Sequence, residues 1–424
     1  MLKLIVFEMK KIVNSSFFRI LMIVFLLFFL AYYVYVYINT ERVEDEIRNL
    51  ETMIQTFEQF IQEKEIALES AEGAEAANIQ SEIDFQREWV AKDKATLELY
   101  EQKDWKAILQ QEIDQQEPQI GQMRYFNQTH TYTWPTLFTV ETYVEMSKWM
   151  RDKEVTPLLP INSMSWITLY DQDMNVQGMS EEEALKDLAE RSDKYSSTSI
   201  HYLHQFFGLL FSIFGAVFFL FLFGDVVTKE GFGRNGSIHL LRTQPVHRDT
   251  ILASKFLTVI LLSTIILLGT VVLSMLTGVI FDGFGDWEYP VLIYGEDRTF
   301  TLINLGTFLI KAVGMFMMIL LFCYSILFLF SVITRRVLAA IGLTLAVLLI
   351  GTRWSGEFVT SSIAHFIPFH YFQVLDVVTN EMAVTMDNYN FSYTNGMVSL
   401  GITSLIVLIV TYGISVLQYR NSNS

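Results

Sequence analysis

Cysteine is almost missing from this chain: Cys323 is the only one in 424 residues, and it lies inside an apolar run. A lone thiol excludes an internal disulfide and any cysteine-built zinc site, and it leaves the redox compartment undetermined. There is no G-x-x-x-x-G-K-[ST] phosphate loop, so the chain has no nucleotide-binding signature of that kind. No G-x-S-x-G elbow supports a hydrolase, and no H-E-x-x-H pair supports a zinc helix. Proline is scarce, with 7 residues, and an excess of basic charge is lacking altogether: the formal charge is −16.

What is present is apolar. The chain is 51% hydrophobic and 14% aromatic, too much for one soluble core of ordinary size, and a bilayer is the natural solvent for the surplus. The acidity is local. Residues 39–200 carry 33 acidic and 15 basic side chains, while the rest of the chain carries 13 and 15. The sequence therefore describes two physical objects, a nearly neutral membrane part and a strongly acidic soluble part, and neither pattern suits nucleic acid.

The apolar runs predict an all-α polytopic membrane protein with six transmembrane helices, at 17–38, 201–228, 251–281, 302–333, 337–352 and 397–418. The first is followed by Asn39-Thr40-Glu41, not by a small-residue cleavage site, and reads as a retained span. The fifth is the shortest, and either tilts little or borrows from its flanks. Lys3, Lys10 and Lys11, then Lys229, Arg234, Arg242, Arg248 and Lys255, then Arg335 and Arg336 fall on one side of a six-span chain. By the positive-inside rule that side is the cytoplasm, with 1–16 as an interfacial helix, 229–250 as a loop, and 419–424 as the tail. The loops at 282–301 and 353–396 are acidic and fall outside, as does 39–200. No organelle signal is visible, and a bacterial plasma membrane fits.

Within 39–200, Val43, Ile47, Leu50, Ile54, Phe57 and Ile61 alternate spacings of four and three, a stripe of coiled-coil type. A break near Gly73 and a second pattern through Ile83, Trp89, Val90, Leu97, Trp105 and Leu109 predict an antiparallel helical hairpin. Residues 122–160, rich in aromatics, Thr and Pro, read as a compact irregular cap. Ser180 and Glu183 form a capping box for a helix through Leu188.

The most informative segment lies between spans two and three. Glu230, Gly231 and Gly236 break the chain out of span two, Ser237 can cap a short helix through Leu240 and Leu241, and Arg242, Thr243 and Pro245 close it. Arg248 and Lys255 lead into span three. A short helix with apolar and basic residues, held between two anchored spans, is suited to meeting a partner. In this pattern the chain resembles the permease subunits of ABC-2 type transporters. The carrying residues are Glu230, Gly236, Leu240-Leu241, Thr243-Gln244-Pro245 and Arg248, together with the six-span plan. The resemblance implies that the loop is a coupling helix docked on a separate ATPase subunit. It implies that ATP and magnesium are bound there and no cofactor by this chain, and that two permeases, alike or different, work as a pair in the lipid. It also implies an amphipathic elbow helix over Met1–Lys11. The large insertion after span one departs from the minimal pattern.

Charged residues in spans need a reason. Arg19, Asp225 and Lys255 lie near ends and are expected to snorkel. Lys311 is deeper, and either faces a cavity or marks a later start of its span. His365 and His370, five apart around Pro368 and near Asp376, do not form a zinc motif, and His201 and His204 read as boundary residues. Export of a hydrophobic or amphipathic cargo such as an antimicrobial peptide, lipopeptide or drug is the expected activity, with ion export as the other cargo. A membrane-anchored sensor or scaffold is the competing class.

Overall fold

The computed structural model describes residues 1–125, 135–171, 186, 192, 194–226, 248–359, 361 and 363–421. The chain divides into two units, one of residues 1–35, 197–285 and 291–424, the other of 36–196 and 286–290.

The first unit is built from long apolar helices. Among the described residues, five helices are long and apolar enough to cross a membrane. They are α2 (Ser16–Asn39), α9 (Arg248–Phe281), α10 (Leu305–Thr334), α11 (Val337–Ser355) and α14 (Tyr393–Asn421). A sixth exists only if a bent pair, α7 (Ser199–Leu210) and α8 (Ile213–Phe223), counts as one span. These two meet at 77°. The sequence presents 201–228 as one uninterrupted apolar run, so the bend corrects the expectation of a continuous helix. Its cause is local. Ser212 donates to the Leu209 carbonyl (2.8 Å), taking up an acceptor that a continuing helix would use, and its own carbonyl receives the Ala216 N–H (3.1 Å) as the new helix begins. At Gly215 a Cβ would run into the Leu210 carbonyl, so the corner requires glycine there.

Helix α10 is the axis of this unit, packed by α8, α9, α11 and α14. Phe316, Leu320, Cys323 and Tyr324 on it are fully buried. Many of the aromatic side chains of this unit meet in one seam. Phe29 and Tyr33 of α2 meet Tyr202 edge-on, Phe29 also meets Phe206, and Phe211 stacks on Phe316 at 4.5 Å. Phe219 and Phe223 continue it to Phe316 and Tyr324. Several buried hydroxyls are satisfied within their own helices: Thr258, Ser263, Thr270, Thr344 and Ser404 each donate to the carbonyl four residues back.

Two further departures from expectation concern span limits. Leu302 and Ile303 belong to a strand, β2 (Phe300–Asn304), paired with β1 (Pro290–Tyr294). The helix starts at Leu305, where the Asn304 side chain caps it by accepting from Thr307 N (2.8 Å). Lys311 is then in the second turn, with its ammonium 5.9 Å from the centre of the Tyr393 ring. The fifth span is longer than its apolar run, because α11 continues to Ser355. Between α11 and α14 come three 3₁₀ turns and the short helices α12 (Val374–Val378) and α13 (Glu381–Thr385). The strand pair is tied to them: Tyr294 N donates to Thr379 O and Asn380 Nδ2 to Tyr294 O, both at 2.9 Å.

The second unit is helical and polar outside. Helices α3 (Val43–Leu68) and α4 (Ala74–Gln102) run antiparallel around Gly73, whose φ of +63 suits a residue without Cβ. Ile54, Ile61, Ile83 and Val90 form their seam, and Lys94–Glu58, Arg87–Glu65 and Lys64–Glu82 bridge its flanks. The second arm is shorter than the sequence pattern: Lys103 closes α4 in the left-handed region, and Trp105 and Leu109 belong to a third helix, α5 (Trp105–Tyr125). The irregular cap expected over 122–160 is largely a helix, α6 (Leu137–Asp152), antiparallel to α5. Propensity is weak there; burial of Phe138, Val140, Tyr143, Val144 and Met150 decides it. Its start is fixed by Asp171, a buried carboxylate that accepts from the N–H groups of Thr136 and Thr168 (2.9 Å each) and from the Thr139 hydroxyl. The capping box at Ser180 lies outside the described residues.

Candidate functional site

Of the residues singled out between spans two and three, Glu230, Gly231, Gly236, Ser237, Leu240, Leu241, Arg242, Thr243 and Pro245 lie outside the described residues, as does the Arg248 side chain. The structure shows what holds the two ends of that segment. On one side α8 ends in a turn through Gly224 to Val226; on the other α9 begins at Arg248.

Lys255 joins these ends. Two turns into α9, its side chain is 3% exposed, so it turns inward and does not snorkel. Its ammonium donates to the Val226 carbonyl (2.8 Å) and lies 3.6 Å from Oε1 of Glu8, which is itself 2% exposed. Glu8 belongs to α1 (Leu2–Val13), which packs along α9, and Lys11 stands 3.6 Å from its other oxygen. Three segments distant in sequence are thus drawn to one ammonium group. A buried charge survives only when it is compensated: the Lys255 ammonium is both hydrogen-bonded and paired, and the Glu8 carboxylate is paired with two lysines, Lys255 and Lys11.

Helix α1 has the build of a helix lying at an interface. Glu8 and Ile12 face inward, while Leu2, Val6 and Phe7 are exposed apolar surface beside Lys3 and Lys10. Its end is fixed by Arg19, which donates to the carbonyls of Val13 (3.2 Å) and Asn14 (3.1 Å) and to Asn14 Oδ1 (2.9 Å). Beyond Lys255, Phe256 meets Phe328 edge-on, and Ser263 shares a 2.7 Å hydrogen bond with Tyr324. The start of α9 is therefore locked to α1 on one side and to the central helix on the other.

Glu8 was not among the candidates read from sequence, yet it carried a signal. It is the only acidic residue before Glu41, set among Lys3, Lys10 and Lys11. Its partner is 247 positions away, which no local pattern reveals.

The histidines do other things. His204 meets Phe308 edge-on, His365 lies against Phe366 with the rings tilted, and the buried His370 packs against Phe391. Among the described residues no group of three or more His, Cys, Asp or Glu side chains is placed to hold a metal ion.

A family described as ABC-2 family transporter protein matches residues 2–423, a stretch that runs through the acidic insertion. No curated protein and no solved structure matches the chain.

Proposed function

The chain belongs to the ABC-2 transporter family, and from that premise we propose that it is the membrane-spanning permease of an ATP-driven exporter, moved by a separate ATPase subunit that docks on residues 229–250. The observation that carries the docking role is the anchoring of both ends of that segment by one buried ammonium group, Lys255, on Val226 and Glu8. A loop so rooted transmits a push, where a slack one would absorb it. ATP is bound and split on the other subunit, as the lack of a phosphate loop here requires. Closure of the ATPase pair pushes two such segments and shifts two permeases between inward and outward states.

In this reading α7–α8 counts as one span, both termini and 229–250 face the cytoplasm, and residues 39–200 stand outside. The membrane is a bacterial plasma membrane. The cargo is hydrophobic or amphipathic, of the class of antimicrobial peptides, lipopeptides or drugs, and the physiological role is resistance or self-protection. The orientation is tested by thiol labelling in intact cells: cysteines at Lys3 and Ser422 are expected to be shielded and one at Glu88 labelled. Labelling of Ser422→Cys together with Glu88→Cys, with Lys3→Cys shielded, would favour five spans. Docking is tested by co-purification of the ATPase with the permease, followed by Glu230→Ala and glycine insertion between Ile238 and Leu241. Transport is expected to collapse while membrane insertion persists; undiminished transport in both variants overturns the assignment. A susceptibility panel of deletion against parent strains tests the cargo, and identical sensitivity to every amphipathic agent removes it.

A further inference from the structure

Resting on the reading of 229–250 as the ATPase-facing segment, we propose that Glu8 and Lys255 form a positioning pair that makes the N-terminal helix α1 move with that segment, so that each cycle displaces α1 along the membrane surface. The argument is geometric. Lys255 donates to the last turn after α8, at Val226, and is ion-paired across 3.6 Å with Glu8 of α1, while its own backbone is part of α9. Both charged side chains are almost wholly buried, and α1 packs on α9. A displacement of the start of α9 that left α1 behind would separate two opposite charges inside a low-dielectric site, at several times the cost of separating them in water. Moving both together keeps the pair intact.

The outward side of α1 gives that motion something to act on. Leu2 is 76% exposed and Phe7 53%, with Lys3 and Lys10 alongside, the composition of a helix that rests its apolar side chains among lipid headgroups. Only the first end of the helix is free to swing, because Arg19 staples the other end to α2 through Val13 and Asn14. The pair therefore acts as a lever contact near the middle of a helix pinned at one end.

The test uses the whole permease–ATPase complex in vesicles. Spin labels at Leu2→Cys and Leu338→Cys, in a Cys323→Ala background, report the position of α1 against α11 without nucleotide and with ATP trapped by vanadate. The expected result is a distance change between the two states that Lys255→Met abolishes and Lys255→Arg, which keeps both the donor to Val226 and the charge facing Glu8, retains. Transport per ATP hydrolysed should fall in Lys255→Met by roughly 2- to 30-fold, the range over which single side chains alter coupling between sites. If Lys255→Met fails to assemble, Glu8→Gln, which keeps the shape of the side chain, carries the same measurements. A constant distance in the unmodified pair, or an undiminished distance change and transport ratio in Lys255→Met and Glu8→Gln, overturns the proposal. Where that happens while Glu230→Ala still uncouples transport, the pair alone fails; if Glu230→Ala leaves transport intact, the reading of the segment fails with it.

Discussion

The two units use the same secondary structure under opposite rules. In the first, the exposed positions are apolar and the polar ones are hidden: Phe214 is 81% exposed, whereas Ser254, Thr258, Ser263 and Ser274 are fully buried. In the second, α3 and α4 show Lys, Arg and Glu outward and keep Ile54, Ile61, Ile83 and Val90 between them. Stability in the first unit comes from interlocking aromatic shapes and satisfied hydroxyls, since lipid tails are as apolar as the side chains they replace. In the second it comes from removing apolar surface from water. Exposure alone thus says nothing until the solvent is named.

The sharpest way to break that comparison is to remove shape from the first unit. Phe316→Ala, which deletes the ring stacked on Phe211 and touching Phe219, is expected to cost about 3–5 kcal/mol, while Phe214→Ala should be nearly silent. Thermal melting of both variants in the same detergent checks this; equal losses would show that packing does not hold the bundle. In the second unit Asp171 makes a large polar contribution. Asp171→Ala leaves the Thr136 and Thr168 N–H groups without their acceptor and should cost roughly 3 kcal/mol, with faster amide exchange at the start of α6.

A smaller effect depends on pH. Burial, and then the neighbouring Glu41 carboxyl, push Glu46 from an ordinary 4.5 up to about 7, while burial lowers Lys194 from 10.5 to about 8. Each side chain attracts the other, but burial outweighs the attraction at both. A raised carboxyl stabilises in full below its ordinary value and loses that contribution as pH rises through about 7. A lowered amine contributes above 10.5 and loses it as pH falls through about 8. The root of α3 should therefore be least protected between about pH 7 and 8, and better protected near pH 5. Hydrogen exchange corrected for intrinsic rates reads this, and Glu46→Gln should flatten the lower limb; a pH response unchanged by that substitution would exclude Glu46 as its source. The smallest effect belongs to the solvated flank. Lys94→Ala, which removes a 2.7 Å pair with Glu58 exposed on both sides, should shift stability by about 0.2–1 kcal/mol, and less at high salt.

The legible parts of the sequence were those governed by composition over many residues. Long apolar runs give long apolar helices, and the stripe from Val43 to Ile61 gives one arm of a hairpin. Features set by a few contacts were hidden. The corner at Phe211 and Ser212 contains no proline and sits inside an unbroken apolar run. Strand β2 merges in composition with α10, and α6 is a helix because of what covers it. At the candidate site the charges were visible, but the pairing of Glu8 with Lys255 is a property of the folded chain. It replaced an expected surface lysine with an internal tie.

The corner in the α7–α8 pair has a further consequence. Drawn straight, the stretch from Ser199 to Phe223 would reach about 38 Å, whereas a bend of 77° brings its tips to about 27 Å, near the roughly 30 Å of a hydrocarbon slab. Under the proposed reading of the pair as one span, acyl-chain length works on an angle instead of on the tilt of a rigid rod. Reconstitution into vesicles of graded thickness turns that angle into a dial set from outside the polypeptide.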